Sequence, residues 1–211
     1  MRIFTIILCA LSLLGCSLNP KTINSPSVEV TKGVQLQLPQ PNELGYSVTA
    51  SQLVSAAWGS TTQQLPVQLE VKQGNDLSQQ HIVLAGFSSW GTRILSLEYI
   101  NNQIKTSVLS GLEDTLPKPE QVLFNLMLTL WPMEAWHQPL AMIDWNMVES
   151  ENTRTVYGND NQAIIKIIYH DSTSNEDRLA GNIEFQHLEL GYTISIQTLN
   201  FTKTMNNELG K

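Results

Sequence analysis

The sequence predicts a mainly β fold with α, a single curved antiparallel sheet wrapped around a buried helix. Three observations predict it. Apolar and polar residues alternate through most of the chain, one segment of helical period interrupts the alternation between two prolines, and the links between segments are too short for parallel crossovers.

The chain has 211 residues and opens on a targeting segment. Met1 and Arg2 give a basic start, Ile3 to Leu14 an apolar run, and Gly15 a small residue beside Cys16. The run is about a dozen residues long, where a spanning helix needs roughly 20. Leu13-Leu14-Gly15-Cys16 is the signature of a bacterial lipoprotein, with cleavage between Gly15 and Cys16 and lipid (palmitate among it) on Cys16. A plain signal peptide is the alternative, although Leu13 stands where such a site usually has a small residue. Several acyl chains on one residue make an attachment effectively permanent. Ser17, not Asp, follows the cysteine, which under the sorting rule for lipoproteins implies the outer membrane, with the folded part facing the periplasm.

Cys9 leaves with the signal and Cys16 carries lipid, so no disulfide is available. A chain of this length buries roughly 70% of its unfolded surface and can hold one core unaided. Loss of Arg2 takes the formal charge from -7 to -8. An acidic surface without a basic stripe repels phosphate polyanions, which excludes nucleic acid as a partner.

Residues 1–15 are read as the signal peptide, 16–33 as lipidated Cys16 with a flexible tether, 34–203 as a single domain and 204–211 as a tail. The tether is polar and punctuated by Pro20 and Pro26. Val34, Leu36 and Leu38, then Val67, Leu69 and Val71, alternate with polar residues as half-buried strands do. His81–Phe87 is a more continuous strand. Leu95, Leu97 and Tyr99 continue the alternation, and Asn101-Asn102 forms a hairpin turn before Gln103 to Leu109. Leu53 to Trp58 reads as strand or as a short helical turn, with strand preferred.

Glu120 to Trp131 is the helix. Pro119 suits its first turn and Pro132 stops it. Gln121, Asn125 and Thr129 make one narrow polar stripe and apolar residues cover the rest, so the helix is buried on several sides. Met133 to His137 adds a further turn. Strands resume at Asp144 to Glu149, Thr153–Tyr157, Ala163 to Tyr169, Leu179 to Leu188 and Tyr192 to Phe201. Tyr157 to Asn161 is a turn cluster and Asp171 to Asp177 a polar loop.

Leu84-Ala85-Gly86-Phe87-Ser88-Ser89-Trp90-Gly91-Thr92-Arg93, with Leu95 to Tyr99 after it, resembles a family of uncharacterised bacterial lipoproteins. Gln68-Leu69-Glu70, Leu126 to Pro132, Gly181 to Phe185 and Tyr192 to Leu199 extend the likeness over most of the mature chain. The resemblance implies a plan similar to the outer-membrane lipoprotein receptor LolB and the carrier LolA, an incomplete antiparallel β-barrel wrapped around a buried helix, with helices closing its mouth. It also implies an association with aryl polyene lipid gene clusters. LolB's exposed apolar loop has no match here; Gly86 to Gly91, which presents Phe87 and Trp90 between glycines, is the nearest candidate and reads equally as a packed strand end.

The lumen of such a barrel either packs solid or holds a ligand. In the second case Leu126, Met127, Leu130 and Trp131 line it, together with Phe87 and Trp90. Methionine and tryptophan at helical spacing serve a plain core equally well. Arg93 either meets a lipid headgroup phosphate with its planar fork or covers the neighbouring indole and loop carbonyls. His81, His137, His170 and His187 lie far apart without metal-ligand spacing, and no catalytic triad or nucleophile elbow is present. Glu113-Asp114 and Glu149–Glu151 read as loop charges. The expectation is a non-enzymatic outer-membrane lipoprotein without metal or cofactor. It binds a lipid or acylated product and assists its transport or insertion, taking it from a periplasmic carrier. The alternative is a scaffold that docks an envelope export or assembly complex.

Overall fold

A computed structural model describes residues 25–58, 60–112, 118–170 and 178–205. Gly15, Cys16, the Glu113-Asp114 pair, the loop 171–177 and the chain end from 206 lie outside the described residues. In chain order the elements are β1 (Ser27–Thr31), β2 (Val34–Gln37), a 3-10 turn (Pro41–Leu44), β3 (Tyr46–Trp58), β4 (Thr61–Lys72), β5 (His81–Phe87), β6 (Arg93–Ile100) and β7 (Gln103–Val108). There follow α1 (Pro119–Leu130), α2 (Met133–Ala141), β8 (Asn146–Glu149), β9 (Thr153–Tyr157), β10 (Ala163–His170), β11 (Asn182–His187) and β12 (Tyr192–Met205).

β3 to β12 form one 10-stranded antiparallel sheet in the order β7-β6-β5-β4-β3-β12-β11-β10-β9-β8. β7 and β8 are its two edges, so the sheet is not closed into a barrel. The last strand returns beside the first, pairing from Tyr192↔Trp58 to Met205↔Tyr46. Tight turns carry the backbone where expected: Asn101 and Asn102 both take positive φ, at 51° and 59°, as a two-residue hairpin requires. Leu53 to Trp58 is strand, the end of β3.

Four boundaries differ from expectation. The tether does not extend to residue 33, because Ser27–Thr31 pairs with Val34–Gln37 as a separate two-stranded sheet. Val28 and Val30 are buried in the core, and this apolar gain outweighs the polar neighbours that disguised the strand. β12 runs on to Met205, so the tail is shorter than 204–211. β8 and β11 begin at Asn146 and Asn182, later than expected, since Asp144 takes a positive φ of 57° and Arg178 to Gly181 precedes the strand. Among the described residues there are also two α-helices rather than one. Met133–Ala141 is a full helix because Trp136 and Leu140 bury against the core, with Phe124 and Trp136 meeting edge to face at 6.0 Å.

α1 is enclosed more completely than an apolar face alone demands. Leu123 to Leu130 are all buried, Asn125 and Thr129 included. The polar stripe is therefore not a solvent face. Thr129 Oγ1 donates to Asn125 O at 2.7 Å, and Gln121 and Asn125 bond to each other and to Tyr192. At the other end, three of the last carbonyls receive donors from β9, β10 and the approach to β11. Arg154 donates to Leu128 O, Tyr169 Oη to Thr129 O at 2.8 Å, and Arg178 to Trp131 O at 3.2 Å. Two guanidinium groups also complement the negative end of the helix dipole. Glu149 Oε1 joins them, 2.6 Å from Arg154 Nε and 2.6 Å from Arg178 Nη2, so the supposed loop charge is the counter-ion of two buried arginines. Among the described residues no helix is long and apolar enough to cross a membrane.

Candidate functional site: a half-covered apolar strip

Strand alternation divides β3, β4 and β12 into a polar outer face and an apolar inner one. Outside stand Ser51, Ser55, Gln64 and Gln68, bonded across the strands as Ser51 Oγ to Gln68 at 3.0 Å and Gln64 to Ser55 at 3.1 Å. Inside, Val48, Ala50, Val67, Leu69 and Val71 are sealed in the core. The same inner stripe continues towards the β3–β4 turn as Val54, Ala56, Leu65, Ile194 and Ile196, and there it is only half covered. Register brings these residues side by side: Val54 lies opposite both Leu65 and Ile196, and Ala56 opposite Ile194. Two strand spacings make the strip about 10 Å wide.

Gly86 widens it. A Cβ at that position would stand 2.6 Å from Leu65 Cδ2 and 3.3 Å from Leu95 Cβ, so glycine leaves the space in which Leu65 lies across β5. The first turns of α1 reach the strip's β12 side through Gln121 and Asn125, which bond to Tyr192. Its polar margin is the cluster of Gln121, Asn125 and Tyr192. Gln121 Nε2 lies 3.2 Å from Asn125 Oδ1 and 3.2 Å from Tyr192 Oη, while Tyr192 Oη donates to Asn125 Oδ1 at 3.2 Å. Burial pushes the Tyr192 phenol up to about 12, so it stays a donor at any physiological pH. Phe185 stacks on it at 6.1 Å. Deeper on the same face, buried Gln52 donates to Thr198 Oγ1 at 3.2 Å.

A clasp holds the β1–β2 hairpin against the β11–β12 turn. His187 Nδ1 accepts from Leu190 N at 3.2 Å, which leaves its proton on Nε2, directed at Val30 O at 3.1 Å. Thr31 Oγ1 donates to Glu189 Oε1 at 2.5 Å beside it. Burial of the imidazole lowers its pKa, against smaller upward pulls from the Val30 carbonyl and the Glu189 carboxylate.

The structure divides the residues proposed from sequence. Leu126, Met127, Leu130 and Trp131 come together in the core, with Trp131 Nε1 donating to Gln40 O at 2.9 Å. Phe87 does not join them, because it alternates with inward Ile82, Leu84 and Gly86 and stands on the opposite face. Trp90 stands apart as well, 92% exposed at the tip of the β5–β6 hairpin. That tip is firmly built: Ser88 N donates to Thr92 O at 2.8 Å, Gly91 N to Ser88 O at 2.9 Å, and Gly91 takes a φ of 80°. Arg93 is exposed at the start of β6. Gly15 and Cys16 lie outside the described residues. Sequence reasoning missed Val54, Leu65 and Ile194, whose alternation was visible, because pairing partners far apart in sequence decide which strand ends remain uncovered.

Among the described residues, fold and strip together define a mainly β architecture with two helices and an apolar sheet face left partly open. The chain belongs to the family described as a protein of unknown function (DUF3261), matched over residues 49–200. No curated protein matches it. Among solved structures it is similar to a LolA superfamily protein from Nitrosomonas europaea, with TM-score 0.42 and 7% identity over 79% of this chain and 90% of that one. A domain from Vibrio parahaemolyticus, provisionally named an outer membrane lipoprotein-sorting protein, is similar at TM-score 0.42 and 8% identity, with 79% and 90% covered. A DUF1329 family protein from Desulfovibrio piger is similar at TM-score 0.38 and 8% identity, again with 79% and 90% covered.

Proposed function

We propose that the protein is a lipid-anchored lipoprotein of the outer membrane that binds a lipid or acylated product and assists its transport to, or insertion into, that membrane. It acts by binding rather than by catalysis. Products of the aryl polyene kind are the first ligands to try, and a periplasmic carrier is the donor. The observation that carries the reading is the half-covered strip of Val54, Ala56, Leu65, Ile194 and Ile196. A monomer that left these side chains partly wet without a ligand would forgo burial worth roughly 25 cal/mol per Å². An acyl chain of about a dozen methylenes gains on the order of 10 kcal/mol gross on burial, much of it offset by ordering. Binding is then reversible, as hand-over requires.

Uptake of a fluorescent fatty acid by the full chain in nanodiscs tests the reading. Wild type is expected to bind saturably, and Leu65→Asp or Ile194→Asp to lose uptake at least tenfold while staying folded by circular dichroism. Equal uptake by folded variants sinks it. The anchor is tested separately: wild type should incorporate labelled palmitate and Cys16→Ser should not. A docking scaffold is the second reading, favoured by Trp90, whose indole is held out in solvent by a well-bonded turn.

A further inference from the structure

A groove of about 570 Å³ runs along β1, and its walls show what it fits. Ser27, Val28, Glu29, Val30, Thr31 and Lys32 all line one side. Successive side chains of a strand point to opposite faces, so a wall built of consecutive residues is the strand's backbone edge. Lys118, Glu120 and Gln121 at the start of α1, with Leu190, form the facing wall.

β1 belongs to a two-stranded sheet, and among the described residues only β2 pairs with it. Leu38 N donates to Pro26 O at 2.9 Å, and the register runs Ser27↔Gln37, Val28↔Leu36, Glu29↔Gln35. Antiparallel ladders alternate bonded and non-bonded pairs, so Val28 bonds to β2 while the N–H and C=O of Ser27 and Glu29 point the other way, into the groove. Both residues are exposed, and among the described residues no backbone partner meets them on that side. Val30 O, further along, is already taken by His187 and marks the end of the free stretch.

We propose that β1 accepts an extended polypeptide segment of a partner protein, added as a third strand to the β1–β2 hairpin. Donors and acceptors repeated two residues apart, about 7 Å, match another extended main chain, whereas a lipid tail offers nothing to satisfy them. The groove's volume suits a segment of a few residues. On its inner side the segment meets Leu190, which favours apolar side chains, and on its outer side exposed Glu29, which favours lysine or threonine.

The probe is the acetylated heptapeptide Val-Lys-Val-Thr-Val-Lys-Val, added to the full chain in nanodiscs, with amide hydrogen exchange read residue by residue. In the free protein Ser27 and Glu29 should exchange fast and Val28 slowly. Peptide at ten times its Kd should slow Ser27 and Glu29 about tenfold. Of two isomers N-methylated on alternate amides, the one blocked on the β1-facing set should bind at least tenfold more weakly than the other. The inference is overturned if Ser27 and Glu29 are already as protected as Val28, or if peptide leaves them unprotected. It also fails if both isomers behave alike, or if peptide-free vesicles of phosphatidylethanolamine and phosphatidylglycerol give the same protection.

Discussion

Replacing Glu149 by alanine should destabilise the protein far more than an ordinary loop carboxylate would. Its Oε1 is the shared acceptor of Arg154 and Arg178, whose side chains are 0% and 8% exposed. Without it, the partners that remain to the two cations among the described residues are the carbonyls of Leu128 and Trp131 and the ring of Tyr169, 5.2 Å from the Arg178 guanidinium. Breaking a buried pair by removing one partner costs about 3–5 kcal/mol. Near this size a domain loses roughly 2–4 °C in Tm per kcal/mol, so Glu149→Ala should melt about 6–20 °C lower. Differential scanning calorimetry of wild type and variant at pH 7 measures it. A second variant, Glu149→Ala with Arg178→Met, removes one stranded cation and should recover part of the loss. A single-variant change below about 2 °C would refute the reasoning, since it would make Glu149 the surface charge its sequence context suggests.

Three further outcomes are expected. Acidification should destabilise the fold through His187: burial keeps the native imidazole neutral while the unfolded chain protonates near pH 6.5, so stability falls below that pH by at most about 1.4 kcal/mol per unit. The loss levels off once the native group also protonates; urea midpoints from pH 8 to 5 should show this component in wild type and not in His187→Gln. Trp136→Ala empties a wholly buried site against Phe124 and should cost about 3–5 kcal/mol in urea unfolding. Trp90→Ser should leave urea stability within about 0.5 kcal/mol and remove red-shifted indole fluorescence, because that side chain is almost fully in water.

Much of the secondary structure was legible along the chain. Period-two runs such as Leu95-Ser96-Leu97-Glu98-Tyr99 could be half-buried strands and little else, and Pro119 and Pro132 bracketed α1 within a residue. Val28 and Val30 were harder, since two apolar residues beside Pro26 make too short a pattern to separate strand from linker. Trp90 was misplaced for another reason. A tryptophan between glycines reads equally as core or as tip, and only the hairpin's bonds set it outside. Glu149 looked like a loop charge because its partners lie five and 29 residues away.

What the amino-acid order determined by itself was local: the alternation of the strands, the apolar circumference of α1 and the turn chemistry of Asn101-Asn102. Tertiary structure alone decided that β12 returns beside β3, that a two-arginine clamp closes α1, and that one end of the inner stripe stays half open. The reason is physical. Propensity and period act over a few neighbouring residues, whereas exposure and charge pairing depend on which distant segments share a register and how far each reaches over the next.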